Sequence, residues 1–339
     1  MNQNKNDQSH SMAGLFTLAI RLVVGWTYFS AFWRRLVIDN KLNPEEAGYI
    51  GEKFNHFLPN ALGIGPMIEY LVSNPDTLWW AMMVFTIIEG LVGLFIMLGL
   101  FTRLMSIGVF KLAMGILLGA GWIGTTCLDE WQIGVLGIAT GFTLFLTGSG
   151  AYSLDQYFID KNAKFTRTKW FTWLGSGTLP INNIKPVVLT GALAIFALTL
   201  FTNQYFHGGI FGTLHNKSVK PKLEISNTIL NEDYLQFEVF RVEGADVYGS
   251  FLIGIQLLDK NDNILLYKEG SDLAIFPIDD IHNYYVAKIK PGKHSLIIPL
   301  GAKADLTLDL ENIDLQKGEQ YTLKLIDISG LEWEIEMVY

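Results

Sequence analysis

One arginine inside an apolar run constrains this chain more than any other feature. Ala13 to Arg35 reads AGLFTLAIRLVVGWTYFSAFWRR, and its first 21 residues are apolar enough to cross a bilayer at about 1.5 Å per residue. Arg21 sits well inside that run, and Arg34 and Arg35 close it. An arginine at membrane depth costs at least ~2.5 kcal/mol on the insertion scale, so it must face protein or water and have a partner. Helical spacing puts Gly14, Leu18, Arg21, Gly25, Tyr28, Phe32 and Arg35 on one face. Glycines on such a face admit a neighbouring helix closely. Arg21 and Arg35 are therefore expected to point at other helices, with Arg34 nearly opposite and able to snorkel to the interface.

The surrounding composition agrees with a membrane chain. Half of the 339 residues are hydrophobic and 17% charged, with nine tryptophans and 22 phenylalanines to supply aromatic belts. Cys127 is the sole cysteine, which excludes an intrachain disulfide and any CxxC motif. The first apolar run lacks a small-residue cleavage site and reads as an uncleaved span. Residues 1–207 carry 13 basic and 12 acidic side chains, whereas residues 208–339 carry 12 basic and 21 acidic ones. That acidic end argues against nucleic acid as a partner.

In order, residues 1–12 are polar and expected to be disordered. A long loop, 36–77, follows the first span. Its Asn43-Pro44-Glu45-Glu46 reads as a helix start, and one or two short interfacial helices are expected there. Further spans cover Leu78–Phe101 with Glu89, Leu104–Ile123 with Lys111, and Trp131–Thr147. Short connections make them antiparallel neighbours, so 13–155 is expected to be a four-helix membrane bundle. A basic linker, 156–185, leads to a fifth span at 186–207. The positive-inside rule then puts the N-terminus, Arg103 and the linker in the cytoplasm.

From about Lys220 the hydrophobic period changes to two. KLEISNTI, DYLQFEVFRV, VYGSFLIGIQLLD, NILLYK, HSLIIPL, DLTLDL, QYTLKLIDI and LEWEIEMVY alternate or run apolar between turn signals. Seven or eight such strands predict an all-β sandwich over 208–339, carried on the outer face of an inner (cell) membrane.

Arg21, Glu89 and Lys111 fall within one or two helical turns of depth. They form either a structural Arg21–Glu89 ion pair that fixes helix register or a proton-handling site beside a lipophilic ligand. A second polar layer comprises Arg34, Arg35, Cys127, Asp129 and Glu130, near Trp79, Trp80, Trp122 and Trp131. Cys127 is either an inert small residue or a reactive thiolate beside arginines. His207 and His215 are too isolated to suggest a metal, and no metal site is predicted.

Three segments carry a family resemblance: Arg21-x3-Gly25, Glu89-Gly90-x2-Gly93 running into Leu98-Gly99-Leu100-Phe101-Thr102-Arg103, and Gly148-Ser149-Gly150-Ala151-Tyr152-Ser153-Leu154-Asp155. Together they resemble the DoxX/DoxD membrane family. A bundle of this type followed by one span and an exported β domain looks like a DoxD–DoxA fusion, the two subunits of membrane-bound thiosulfate:quinone oxidoreductase. The resemblance implies oxidation of two thiosulfates to tetrathionate, with two electrons passed to a quinone of the ubiquinone or menaquinone type. Arg35, Arg34 and Asp129 would then serve thiosulfate, Glu89, Cys127 and Arg21 the chemistry, and Arg21, Lys111 and Trp122 the quinone. No haem, flavin or metal is expected, since no haem-attachment, iron–sulfur or Rossmann motif is present. The implied partners are thiosulfate, the membrane quinone pool and the bilayer, with a homo-oligomer left open. Two other readings stand beside this one: a non-catalytic membrane partner or scaffold of another redox enzyme, and an anion channel or transporter with Arg21 and Arg35 marking a path.

Overall fold

The computed structural model describes residues 12–46, 48–124, 129–245, 250–311 and 313–339. Cys127 and the N-terminal segment expected to be disordered, apart from Met12, lie outside the described residues. The helices are α1 (Leu18–Phe32), which runs into a π-helical turn (Trp33–Ile38), α2 (Gly51–Phe57), α3 (Gly65–Val72), α4 (Pro75–Leu98), α5 (Thr102–Ala120), α6 (Glu130–Thr147), α7 (Leu154–Asp160), α8 (Lys169–Leu174) and α9 (Ile184–His207). Three of them, α4, α5 and α9, are long and apolar enough to cross a membrane. The chain divides into two compact units that do not follow sequence order. One holds Met1–Tyr49 with Trp79–His215, and the other Ile50–Leu78 with Asn216–Tyr339. Residues 50–78, expected as a loop of the bundle domain, thus belong with the β strands.

In the first unit α1, α4, α5 and α6 close into a ring of four. The crossing of α1 and α4 needs glycine on both sides: a Cβ on Gly93 would lie 2.4 Å from the Phe29 nitrogen and 2.5 Å from the Gly25 oxygen. Val92 covers Gly108 between α4 and α5, and Gly134, Gly137 and Gly141 of α6 lie on Leu117, Ala113 and Phe110 of α5. The ring closes where Thr17 Oγ1 comes within 3.3 Å of Thr147 Oγ1. Tyr28, Val92, Ile96, Val109, Leu112 and Leu144 fill its core. Outside the ring α9 packs on α6, with Phe142 against Gly191. The stretch 156–185, expected as a linker, is instead folded onto this unit. It forms α7 and α8 and buries Phe171 and Leu179.

Among the described residues, the second unit contains ten strands: β1 (Lys222–Leu230), β2 (Tyr234–Glu243), β3 (Ser250–Asp259), β4 (Ile264–Glu269), β5 (Ile281–Asn283), β6 (Lys290–Pro291), β7 (Leu296–Ile298), β8 (Lys303–Asp309), β9 (Gln320–Asp327) and β10 (Glu332–Val338). All pairings are antiparallel, in two sheets ordered β1-β2-β8-β5 and β10-β9-β3-β7-β6, with β4 also on β3. Alternate residues of both sheets, among them Phe237, Leu306, Leu257 and Leu323, meet in one core. The eight strands expected from period two are present, and β10 keeps its apolar Trp333, Ile335 and Met337 on the less exposed face. The very short β5 and β6 were not expected. Nor was the helical turn α10 (Gly270–Leu273) after β4.

Candidate functional site

Among the described residues of the helical unit, two polar clusters lie at opposite ends of the ring. At the end where α4 passes into α5, Arg21 is 1% exposed and does not meet Glu89. Its guanidinium donates to the carbonyls of Ser149 (2.5 Å) and Tyr152 (2.5 Å), just past α6. The expected Arg21–Glu89 pair is therefore corrected: Arg21 donates to backbone oxygens of a turn, and the carboxylate within its electrostatic reach is Asp155. Nearby, the Asp155 carboxylate, fully buried, accepts from Phe101 N (2.8 Å), Thr102 N (3.0 Å), Thr102 Oγ1 (3.0 Å) and Ser176 Oγ (2.7 Å). It thereby caps the start of α5 from a distant part of the chain. Arg103 donates to Phe145 O (3.0 Å), Thr172 O (3.1 Å) and Gly177 O. The LGLFTR and GSGAYSLD segments are thus two halves of one structural knot. Arg21 belongs to it, with its Nε buried and without a hydrogen-bond partner among the described residues.

At the other end lies an ion pair that joins two helices. Arg35, in the π-helical turn, donates from Nη1 to Glu89 Oε2 at 2.5 Å. Glu89 is 5% exposed, while the Arg35 side chain keeps 22% of its surface open. Tyr28, one turn from Phe32 on α1, lies within electrostatic reach of the same carboxylate. Arg34 is also within electrostatic reach, although its Nε donates to Ser30 O (3.3 Å) on the exposed side. The π-helical turn places the two arginines at a break in helical regularity, where such turns often accompany function. One buried carboxylate thus sits with a half-open arginine and a phenol, backed by the ring core.

Asp129 stands at the start of α6. It caps α6 in a capping box with Gln132, and its Oδ2 lies 3.5 Å from His207 Nε2 at the end of α9. The side chain it faces is thus a histidine. In sequence His207 is isolated, and Asp129 lies 78 positions away. The only available signal was a histidine ending one span and an aspartate opening another. Trp122 is 2% exposed and enclosed by protein just past α5, near Phe206 packed on Gly121. Lys111 lies on the exposed face of α5 with Leu104 and Gly115, so it joins neither cluster. Cys127 lies outside the described residues. Among the described residues no group of three or more His, Cys, Asp or Glu side chains is arranged to hold a metal.

Comparison with protein families bears on what these clusters serve. Residues 16–182 match the family profile described as TQO small subunit DoxD, and residues 206–336 match the one described as TQO small subunit DoxA. TQO denotes thiosulfate:quinone oxidoreductase.

Proposed function

Because the chain belongs to the DoxD and DoxA families of TQO small subunits, fused in one polypeptide, we propose that it is a membrane-bound thiosulfate:quinone oxidoreductase. Two thiosulfates are joined through a new S–S bond to tetrathionate, and the two electrons released reduce one quinone, which takes up two protons. The observation that carries the assignment of a site is the Arg35–Glu89 pair beside Tyr28.

Each residue in that cluster suits one requirement. Thiosulfate is a dianion, and a guanidinium binds oxyanions through a fork of donors. Arg35 offers such a fork from a partly open position, and Arg34 adds a second positive charge that lowers the repulsion between two dianions. A dianion arriving at Arg35 competes with Glu89 for the same guanidinium. Glu89 released from it is a carboxyl group in a largely apolar setting, placed to hold the proton a quinone needs. The Tyr28 hydroxyl and Arg35 are the donors available to a quinone carbonyl there. Lys111 is a second candidate, reached from the lipid side. Asp129 acts through His207 at the same end. Cys127 either forms a covalent sulfur intermediate or does not, and its replacement separates the two.

Electrons pass from sulfur to quinone with no further cofactor. A preparation whose turnover depends on a copurifying haem, flavin or metal would overturn that part. The reading includes five spans in the inner membrane, with the N-terminus cytoplasmic and the β unit outside. It is supported by parity. If α4, α5 and α9 alone crossed the bilayer, residues 50–78 and 216–339 would lie on opposite sides, yet they form one compact unit. A fourth crossing between them, by α6, restores the same side.

The test is thiosulfate-dependent reduction of a soluble quinone by the detergent-purified chain, with tetrathionate assayed in parallel. Activity in the wild type that falls in Arg35→Ala and Glu89→Gln supports the site, and Cys127→Ala decides between covalent and direct coupling. A well-folded chain inactive with every quinone tried shifts the reading to a non-catalytic partner of another redox enzyme.

A further inference from the structure

The border between the two family matches does not coincide with the border between the two compact units. The DoxD match contains 50–78, and the DoxA match contains β1 to β9 and most of β10, yet these pieces fold as one. We propose that residues 50–78 are the docking element for a DoxA-type β domain, sufficient to hold it when the covalent connection after α9 is cut. The partner this element fits is therefore a β sandwich of this type, whether on the same chain or on a separate one. The inference does not rest on the thiosulfate reading.

The contacts are those of a specific interface. Asn55 of α2 is fully buried, and both ends of its amide bond to backbone of the β domain. Nδ2 donates to Gly301 O at 2.9 Å, and Oδ1 accepts from Ala287 N at 3.1 Å. Gly301 holds a positive φ of 74°, and a Cβ there would fall 1.8 Å from the Asn55 carbonyl oxygen. Asn60 donates to Val242 O (2.9 Å) and accepts from Lys217 Nζ (3.0 Å). At the far end Val286 N donates to Val72 O (3.2 Å) and the Tyr285 hydroxyl to Glu69 Oε1 (2.9 Å). Between these polar contacts, Ile68 and Val72 of α3 are buried with Tyr285 and pack against Phe240. A buried apolar centre framed by satisfied polar groups is the composition of an interface between separable partners. The covalent tether runs through Ile210, Phe211 and Leu214, all exposed, so cutting it removes none of these contacts.

A site for a sequence-specific protease placed within 210–212 of the full-length chain, carrying a C-terminal tag, provides the test. After purification in detergent and cleavage, the tagged β fragment is captured and its release from the helical fragment is timed on dilution. The two fragments are expected to stay together, with Asn55→Leu speeding release at least tenfold and Tyr284→Phe, on an exposed tyrosine, leaving it unchanged. Should Asn55→Leu fail to fold, Tyr285→Phe deletes only the Glu69 bond and is expected to speed release about three- to tenfold. Release of the β fragment from the cut wild type, or identical release in the interface variants, overturns the proposal.

Discussion

Arg35 has two anions competing for it in the proposed cycle: the Glu89 carboxylate at 2.5 Å and the incoming thiosulfate. Removing the guanidinium takes away the anion's main donor, so Arg35→Ala is expected to lower quinone reduction about 10²–10³-fold. Arg35→Lys keeps the charge but loses the fork and is expected to recover only part of that rate. Steady-state rates at saturating thiosulfate check both. A second residue-scale expectation concerns Tyr285. Burial, then its bond to Glu69, pushes its phenol above the ordinary value. The neighbouring Tyr284 is pushed up to about 12 by its bond to Asp305. A raised pKa in the folded state gives stability that is complete below the unfolded value near 10 and is lost as pH rises through the folded one. The urea midpoint of the β unit is therefore expected to drop between about pH 9 and pH 12, and less steeply in Tyr285→Phe. Which way Arg21 and Arg35 point was legible from helical spacing. Their partners were not, because the carbonyls of Ser149 and Tyr152 have no side-chain signature and Glu89 lay one position choice away from either arginine.

Among the elements, the crossing of α1 and α4 depends most on one residue type. Gly93→Val puts a branched side chain where backbone atoms of Phe29 and Gly25 already stand, and is expected to cost about 1–3 kcal/mol. Gly115→Ala, with nothing within 4 Å of the new Cβ, is the matched control and is expected to be neutral. Thermal midpoints in detergent compare them. Gly25 on the arginine face announced that some helix comes close there, and alternation exposed the long strands, because both patterns are local. The helix start read at Asn43 failed for a local reason too. Asn43 Oδ1 accepts from Glu45 N at 3.2 Å and closes a turn, and the helices begin later, at Gly51 and Gly65. The two-residue β6 and three-residue β5 are too short to show any period.

At the scale of the whole molecule, the parity of crossings yields a labelling experiment. In a Cys127→Ser background, Ser73→Cys in the segment after α3 and Ser329→Cys before β10 are expected to react with an impermeant thiol reagent from the same side. Lys164→Cys, between α7 and α8, is expected to react from the other. Reaction of Ser73→Cys and Ser329→Cys from opposite sides would rule out the five-span reading. Nothing local announces that 50–78 belongs with strands far downstream, since the match is between Asn55 and backbone groups of Ala287 and Gly301 that any sequence possesses. The same arrangement sets an order of events during synthesis. The 137 residues from Trp79 to His215 must be made before the first strand is available. At about 5–20 residues per second that stretch alone takes roughly 7–27 s, and Ile68 and Val72 stay uncovered until Phe240 and Tyr285 follow. Through that interval the nascent chain displays a sticky apolar face that only its own unmade half can shield, so slow translation of the β domain would expose the chain to capture by proteases and holdases.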